Sequence, residues 1–158
     1  MIDEQIKTDP ILTNITQKQI AILDQENTDG EGWDYYCSGR VIHALVSKNE
    51  ISGIIREYLE DFKVQVKANE HEIFCVCSCN SENVICKHIV ALLYSWVYDR
   101  SEFTNLDNFM NQVEDMDKDM LIKAVERFIA DDPRNLKYFE NQNDCELSNI
   151  DLENLAFD

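Results

Sequence analysis

Cys75-Val76-Cys77-Ser78-Cys79-Asn80-Ser81-Glu82-Asn83-Val84-Ile85-Cys86-Lys87-His88 is the stretch on which the reading of this 158-residue chain turns. It holds C-x-C, six intervening residues and C-x-H. Thiolate and imidazole donors of that number and type close a tetrahedral zinc shell of the Cys3His kind. In an extended strand, residues i and i+2 share a face, so Cys77 and Cys79 reach one ion. Cys86 and His88 would stand on nearly opposite sides of a helix. They converge only if Cys86 precedes the helix and His88 lies in its first turn, where the helix N-terminus also favours a thiolate at Cys86. The spacing therefore predicts Zn2+ held by Cys77, Cys79, Cys86 and His88. Cys75 shares the face of Cys77 and Cys79, so Cys75 in place of Cys79 stays open. The shorter chelate loop, and the strand-like Phe74-Cys75-Val76, favour Cys77 with Cys79. A plainer reading makes these cysteines small buried hydrophobes, but four Cys and one His fall within 14 residues.

Outward from this stretch the pattern changes twice. Upstream, residues 35–79 read as strands: Val41, His43 and Leu45 alternate with Ile42, Ala44 and Val46, residues 51–58 are β-rich, and Phe62-Lys63-Val64-Gln65-Val66-Lys67 alternates as a half-buried strand does. Asn69-Glu70-His71-Glu72 is a hairpin turn into Ile73. Four largely antiparallel strands are expected. Before them, Thr16-Gln17-Lys18-Gln19 is a capping box, followed by Ile20 and Leu23 on one helical face. Asp29-Gly30-Glu31-Gly32 then breaks the chain.

Downstream, residues 89–98 are apolar nearly all round, which predicts a helix buried on more than one side. Three further helices are expected. Residues 105–113 place Leu106, Phe109, Met110 and Val113 at helical spacing. Residues 118–130 have Asp117 as N-cap and Leu121, Val125, Phe128 and Ile129 facing inward. Residues 133–139 open on Asp132 and Pro133. The expected fold is α+β: a small antiparallel sheet with a zinc-stapled helix, flanked by an N-terminal helix and C-terminal helices. Its parts are a helical segment (1–30), the sheet and finger (31–99), helices (100–140) and an acidic tail (141–158).

Composition narrows the function. Thirty-one acidic against 14 basic residues give a net charge of −17. A protein whose main partner is the phosphate backbone normally carries an excess of Lys and Arg, because counterion release drives that binding. Residues 99–158 alone carry 16 acidic and 6 basic side chains. The longest apolar run falls far short of the ~20 residues that span a bilayer, and Met1-Ile2-Asp3-Glu4 does not read as a signal peptide. A cytoplasmic protein is expected. There, six cysteines favour metal chemistry over disulfides.

Cys77-Ser78-Cys79 followed by Cys86-Lys87-His88-Ile89-Val90-Ala91-Leu92-Leu93 resembles the SWIM zinc finger: C-x-C, a variable loop, then C-x-H opening an apolar helix. Gly32-Trp33-Asp34-Tyr35-Tyr36-Cys37-Ser38-Gly39-Arg40-Val41 resembles the aromatic lead-in of many prokaryotic members. Phe62-Lys63-Val64-Gln65-Val66 resembles the strand feeding the finger, and Ala130-Asp131-Asp132-Pro133 the helix end that follows. The resemblance covers roughly residues 14–139. Asn80 departs from it, standing where many members place Pro and leaving the metal loop less rigid. Large members join the module to a helicase, but no G-x-x-x-x-G-K-[ST] loop exists here, so ATPase activity is not carried over.

Four protein ligands leave no open position for water, so the zinc is expected to be structural and the chain not an enzyme. The SWIM resemblance implies DNA-binding or protein-interaction roles, including partnership with recombinases and remodelling enzymes. The charge favours a protein-interaction adaptor, with no membrane and no small-molecule substrate. The alternative is a DNA binder in which Arg40, Lys63, Lys67 and Lys87 gather on one face. Lys87 reads as a solvated or thiolate-neutralising side chain, His43 and His71 as strand and turn residues, and Cys37 and Cys145 as unpaired thiols. Trp33, Tyr35, Tyr36 and Trp96 read as core aromatics rather than base-stacking platforms. Residues 148–157 mix acids with apolar residues, as a docking peptide or a last packed helix would.

Overall fold

Alternation builds the sheet and an unbroken apolar run builds the helix laid on it. A computed structural model describes residues 8–82 and 84–140. They fall into two units, one ending at Gln112 and the other beginning at Val113. The tail at 141–158 and Cys145 lie outside the described residues. In the first unit α1 (Pro10–Asn14), α2 (Gln17–Thr28) and α3 (Glu31–Cys37) precede β1 (Val41–Val46), β2 (Glu50–Glu57), β3 (Glu60–Ala68) and β4 (Ile73–Cys77). Then come α4 (Lys87–Tyr98), β5 (Thr104–Asn105) and α5 (Leu106–Glu114), which crosses the boundary.

The sheet order is β4-β3-β2-β1-β5, and the pairs β1–β2, β2–β3 and β3–β4 are antiparallel. The four expected strands are present and the fold is α+β. The fifth strand is a difference: β5 pairs parallel with β1, Leu45 opposite Thr104, and makes the sheet mixed. Parallel neighbours need a long crossover, which here passes through the rest of the sheet and α4, so two residues carry no local sign of it. His43 sits at a register shift in β1 with φ 50°, exposed and far from any donor role.

The core lies on one face of β2 and β3, where Ile51, Ile55, Val64 and Val66 are buried beneath α4. On α4 itself His88 to Trp96 are all buried, because α2 and α3 cover the side turned away from the sheet. The Trp96 indole N–H donates to the Leu12 carbonyl at 2.7 Å and ties α1 to this helix. Thr16 and Gln19 form the expected capping box.

Residues 35–37, expected in a strand, belong to α3 instead. Gly30 at its N-cap offers no side chain. Asp24 supplies the cap from α2, accepting the amides of Gly32 and Trp33, each at 3.0 Å. Trp33 then meets Tyr94 edge-on at 5.0 Å, and Tyr36 stacks on Tyr98 at 5.6 Å. Tertiary packing overrides a weak local preference. Trp96 lies in the core and Tyr35 and Tyr36 pack against it, as expected, whereas Trp33 is 40% exposed and lies outside the core cluster.

Gly32 is required by closeness. A Cβ there would lie 2.4 Å from Val90 Cγ1 and 2.8 Å from Asp24 Oδ1. Gly32→Ala is expected to cost about 3 kcal/mol, the upper range for overpacking, with part regained in the Gly32→Ala/Val90→Ala double variant; urea unfolding of the three proteins measures both.

The second unit contains α6 (Lys118–Asp131), a 3-10 turn (Pro133–Leu136) and α7 (Lys137–Glu140). Asp117 accepts from the Asp119 amide at 2.7 Å and Asp132 from the Arg134 amide at 3.0 Å. Both caps are where the sequence predicts them. Leu121, Val125 and Ile129 are half-buried, but Phe128, expected inward, is exposed. It sits on the stripe's margin, 6.5 Å from the Tyr138 ring. No helix among the described residues is long and apolar enough to cross a membrane.

Candidate metal centre

Backbone pairing carries the chain one residue past β4: Ser78 N–H donates to Lys63 O at 3.0 Å, and Lys63 N–H to Ser78 Oγ at 2.9 Å. Asn80 follows at φ 52° and reverses the direction. Asn tolerates this left-handed conformation, whereas proline, held near φ −65°, does not reach it. The departure at Asn80 is thus a different way of making the turn. After the loop, Cys86 is the extended N-cap of α4, and His88 occupies the first helical turn, the arrangement the C-x-H spacing demands.

These two ends bring together Cys77, Cys79, Cys86 and His88, whose donor atoms all lie within 4.8 Å of one another. His88 Nδ1 is 3.6 Å from Cys77 Sγ and 3.9 Å from Cys86 Sγ. A tetrahedral ion with Zn–S and Zn–N bonds of ordinary length places its donors about 3.5–3.8 Å apart. The donor set fits such an ion in type, number and spacing. Cys75 stands outside the group, bordering the apolar groove beside Leu93 and Ile85, and burial pushes its thiol up to about 11. Cys37 is exposed and also outside it.

Proton affinities in the cluster are pulled apart by crowding. The hydrogen bond between them holds the Cys86 thiol well below its ordinary value, against the opposing effect of burial, and pushes the Cys77 thiol up. Burial works against a charged His88, but hydrogen bonds to Cys86, Cys79 and Glu57 together raise it to about 9. The donors share protons among themselves, and a divalent cation would take the protons' place.

Around the donors lies a shell that sequence reasoning missed. Glu57, at the end of β2, has Oε2 at 3.0 Å from His88 Nε2 and Oε1 at 3.3 Å from Lys87 Nζ, and it also accepts from the Tyr35 hydroxyl. The Tyr35 hydrogen bond is the main reason its carboxyl is held down to about 2, with burial opposing and His88 and Lys87 reinforcing. An ionised Glu57 takes the Nε2–H and leaves Nδ1 turned toward the sulfurs, the carboxylate–histidine pairing usual behind metal-bound imidazoles. Phe62 stacks on the His88 ring at 4.6 Å, and Tyr35 meets it edge-on at 5.6 Å. Glu57 is 31 residues from His88, so no local spacing pointed to it.

Glu57→Gln is therefore expected to weaken metal affinity by about 10- to 100-fold, the range for such outer-shell partners. Glu31→Gln, which removes only an exposed partner of Lys87 at 3.4 Å, is expected to leave it unchanged. Competition with a chromophoric chelator compares the two.

The four cations Arg40, Lys63, Lys67 and Lys87 do not share a face. Lys87 is paired with Glu57 and Glu31, and with Arg40 it contacts the Tyr35 ring. Lys63 and Lys67 leave β3 on the side opposite Val64 and Val66, away from α4.

The comparisons add one match. Residues 62–96 match the family model described as SWIM zinc finger, while no curated protein and no solved structure matches the chain. The lead-in at 32–41 and the helix end at 130–133 lie outside the matched residues. The match begins in β3, where Phe62 stacks on His88, and runs through β4 and the donor-bearing turn to Trp96 in α4. Over these residues the chain is similar to the SWIM zinc finger.

Proposed function

We propose that the chain is a zinc-stapled, non-enzymatic module that binds another protein. The carrying observation is the convergence of three thiols and one imidazole at the junction of β4 and α4. Four protein donors fill a tetrahedral shell, whereas catalytic zinc keeps a position for water. The zinc is then a mechanical part: it fastens the strand end to the first turn of the core helix. The net charge of −17 and the separation of Lys63 and Lys67 from Lys87 by the sheet support a protein partner over the phosphate backbone.

Two measurements test the reading. Elemental analysis with thiol counting on gently purified protein is expected to give one zinc per chain with three protected thiols; a metal-free, fully folded protein overturns the staple. Affinity capture from the native host with zinc-loaded and zinc-stripped protein, followed by reconstitution from purified components, is expected to give a zinc-dependent protein complex. Submicromolar DNA binding that falls steeply with salt, with no protein complex, would replace the adaptor by a DNA binder.

A further inference from the structure

Among the described residues β4 ends the sheet, paired with β3 on one side only. Asn69–Glu72 and Lys63–Ser78 are hydrogen-bonded pairs of this ladder. Antiparallel pairing alternates between bonded and non-bonded pairs. Phe74 and Val76 therefore bond inward to β3, while Ile73 and Cys75 turn their N–H and C=O groups toward the open edge. Edges in native proteins are usually blunted by Lys, Pro or a bulge. Ile73-Phe74-Cys75-Val76-Cys77 has none of these, and Ile73, Phe74 and Val76 are 38%, 50% and 62% exposed.

The edge borders a receptacle. On the core-side face, Ile73 and Cys75 line a groove of about 560 Å3 whose other walls include Ile15, Ile22, Leu23 and Ile85. Of its lining residues only Asn14 and Gln19 are polar in side chain, apart from the Cys75 thiol. At the turn end of the edge stand the exposed Glu70 and Glu72.

We propose that this edge and groove dock an extended segment of a partner protein as an added strand, with aliphatic side chains at alternate positions entering the groove and a Lys or Arg meeting Glu70 and Glu72. The inference rests on the protein-interaction reading above and names its surface. Outward N–H and C=O groups recurring every second residue are matched by another strand and not by a helix, whose backbone is internally bonded. A second copy of the chain is disfavoured because each copy carries −17.

The test pans the immobilised, zinc-loaded full chain with a random library of peptides about 12 residues long. Enriched peptides are expected to carry aliphatic residues at alternate positions with a basic flank, and to bind at least tenfold more weakly to Ile73→Pro and to Ile22→Glu. Ile73 points its N–H away from β3, so proline there removes no ladder bond; Ile22, 48% exposed on α2, tests the groove without touching the edge. Absence of enrichment, peptides of helical periodicity, acidic flanks, or equal affinity for both variants would overturn the proposal. A native partner captured equally by wild type and Ile73→Pro sinks this surface and leaves the adaptor reading standing. Peptides selected as expected, with no partner captured, uphold the surface and sink that reading.

Discussion

Stripping the metal is expected to unfold the first unit rather than loosen it, and Cys86→Ser to do the same. Apparent zinc-binding free energies in finger peptides are about 10–16 kcal/mol, against about 5–15 kcal/mol for the whole stability of a domain. The ion's position makes the loss global. Cys86 is buried and is the N-cap of α4, and α4 contributes the buried run from His88 to Trp96 that β2, β3, α2 and α3 pack against. Without a cation, three sulfurs and an imidazole remain crowded within 4.8 Å of one another, with only hydrogen bonds among them to offset their burial. The helix start must then separate from the strand end, and the helix cannot leave without opening the core. Far-UV circular dichroism and Trp fluorescence during a chelator titration should show one cooperative loss of structure, reversed by adding Zn2+. Cys86→Ser should remain unfolded even with zinc, while Cys37→Ser, an exposed thiol outside the cluster, should melt as wild type. Metal-free protein with an unchanged melting curve would refute the staple.

What the sequence displays in advance is what depends on neighbours along the chain. Cys86 and His88, two residues apart, have one way to converge, and α4 starts where that way requires. β3 alternates because a strand with one buried face must, and Val64, Val66 and Ala68 are the buried set. The choice between Cys75 and Cys79 was not legible for the same reason the cluster was: an extended chain puts both on the face of Cys77. In the folded chain the Cys79 sulfur lies with those of Cys77 and Cys86 and the His88 ring, within 4.8 Å of one another, while Cys75 lines the apolar groove. Glu57 and β5 escaped because their partners are set by topology, β2 arriving beside the start of α4 and β5 returning beside β1.

The strand-like reading of 35–37 failed where a distant side chain substitutes for a local signal, and the same residue carries the second large prediction. Asp24→Ala is expected to cost about 3–5 kcal/mol, the range for breaking a buried charge-assisted network. Asp24 is 2% exposed. Its Oδ1 accepts from the Gly32 amide at 3.0 Å and from the Thr28 hydroxyl. Its Oδ2 accepts from the Trp33 amide at 3.0 Å and the Tyr94 hydroxyl at 3.1 Å. One carboxylate thus caps the N-terminus of α3, where the helix dipole favours negative charge, and ties α2 to both α3 and α4. Alanine leaves these buried or half-buried donors without their acceptor, each costing about 1–3 kcal/mol if water does not replace it. Asn, which keeps one acceptor and turns an NH2 toward two of the donors, should lie between alanine and wild type. At roughly 4–8 °C per kcal/mol for a domain of this size, the alanine variant should melt on the order of 15–30 °C lower while its zinc stoichiometry at low temperature stays at one, because no donor of the metal cluster touches Asp24. A melting temperature within a few degrees of wild type would mean that α3 holds its place through its aromatic contacts alone and that the cap is incidental.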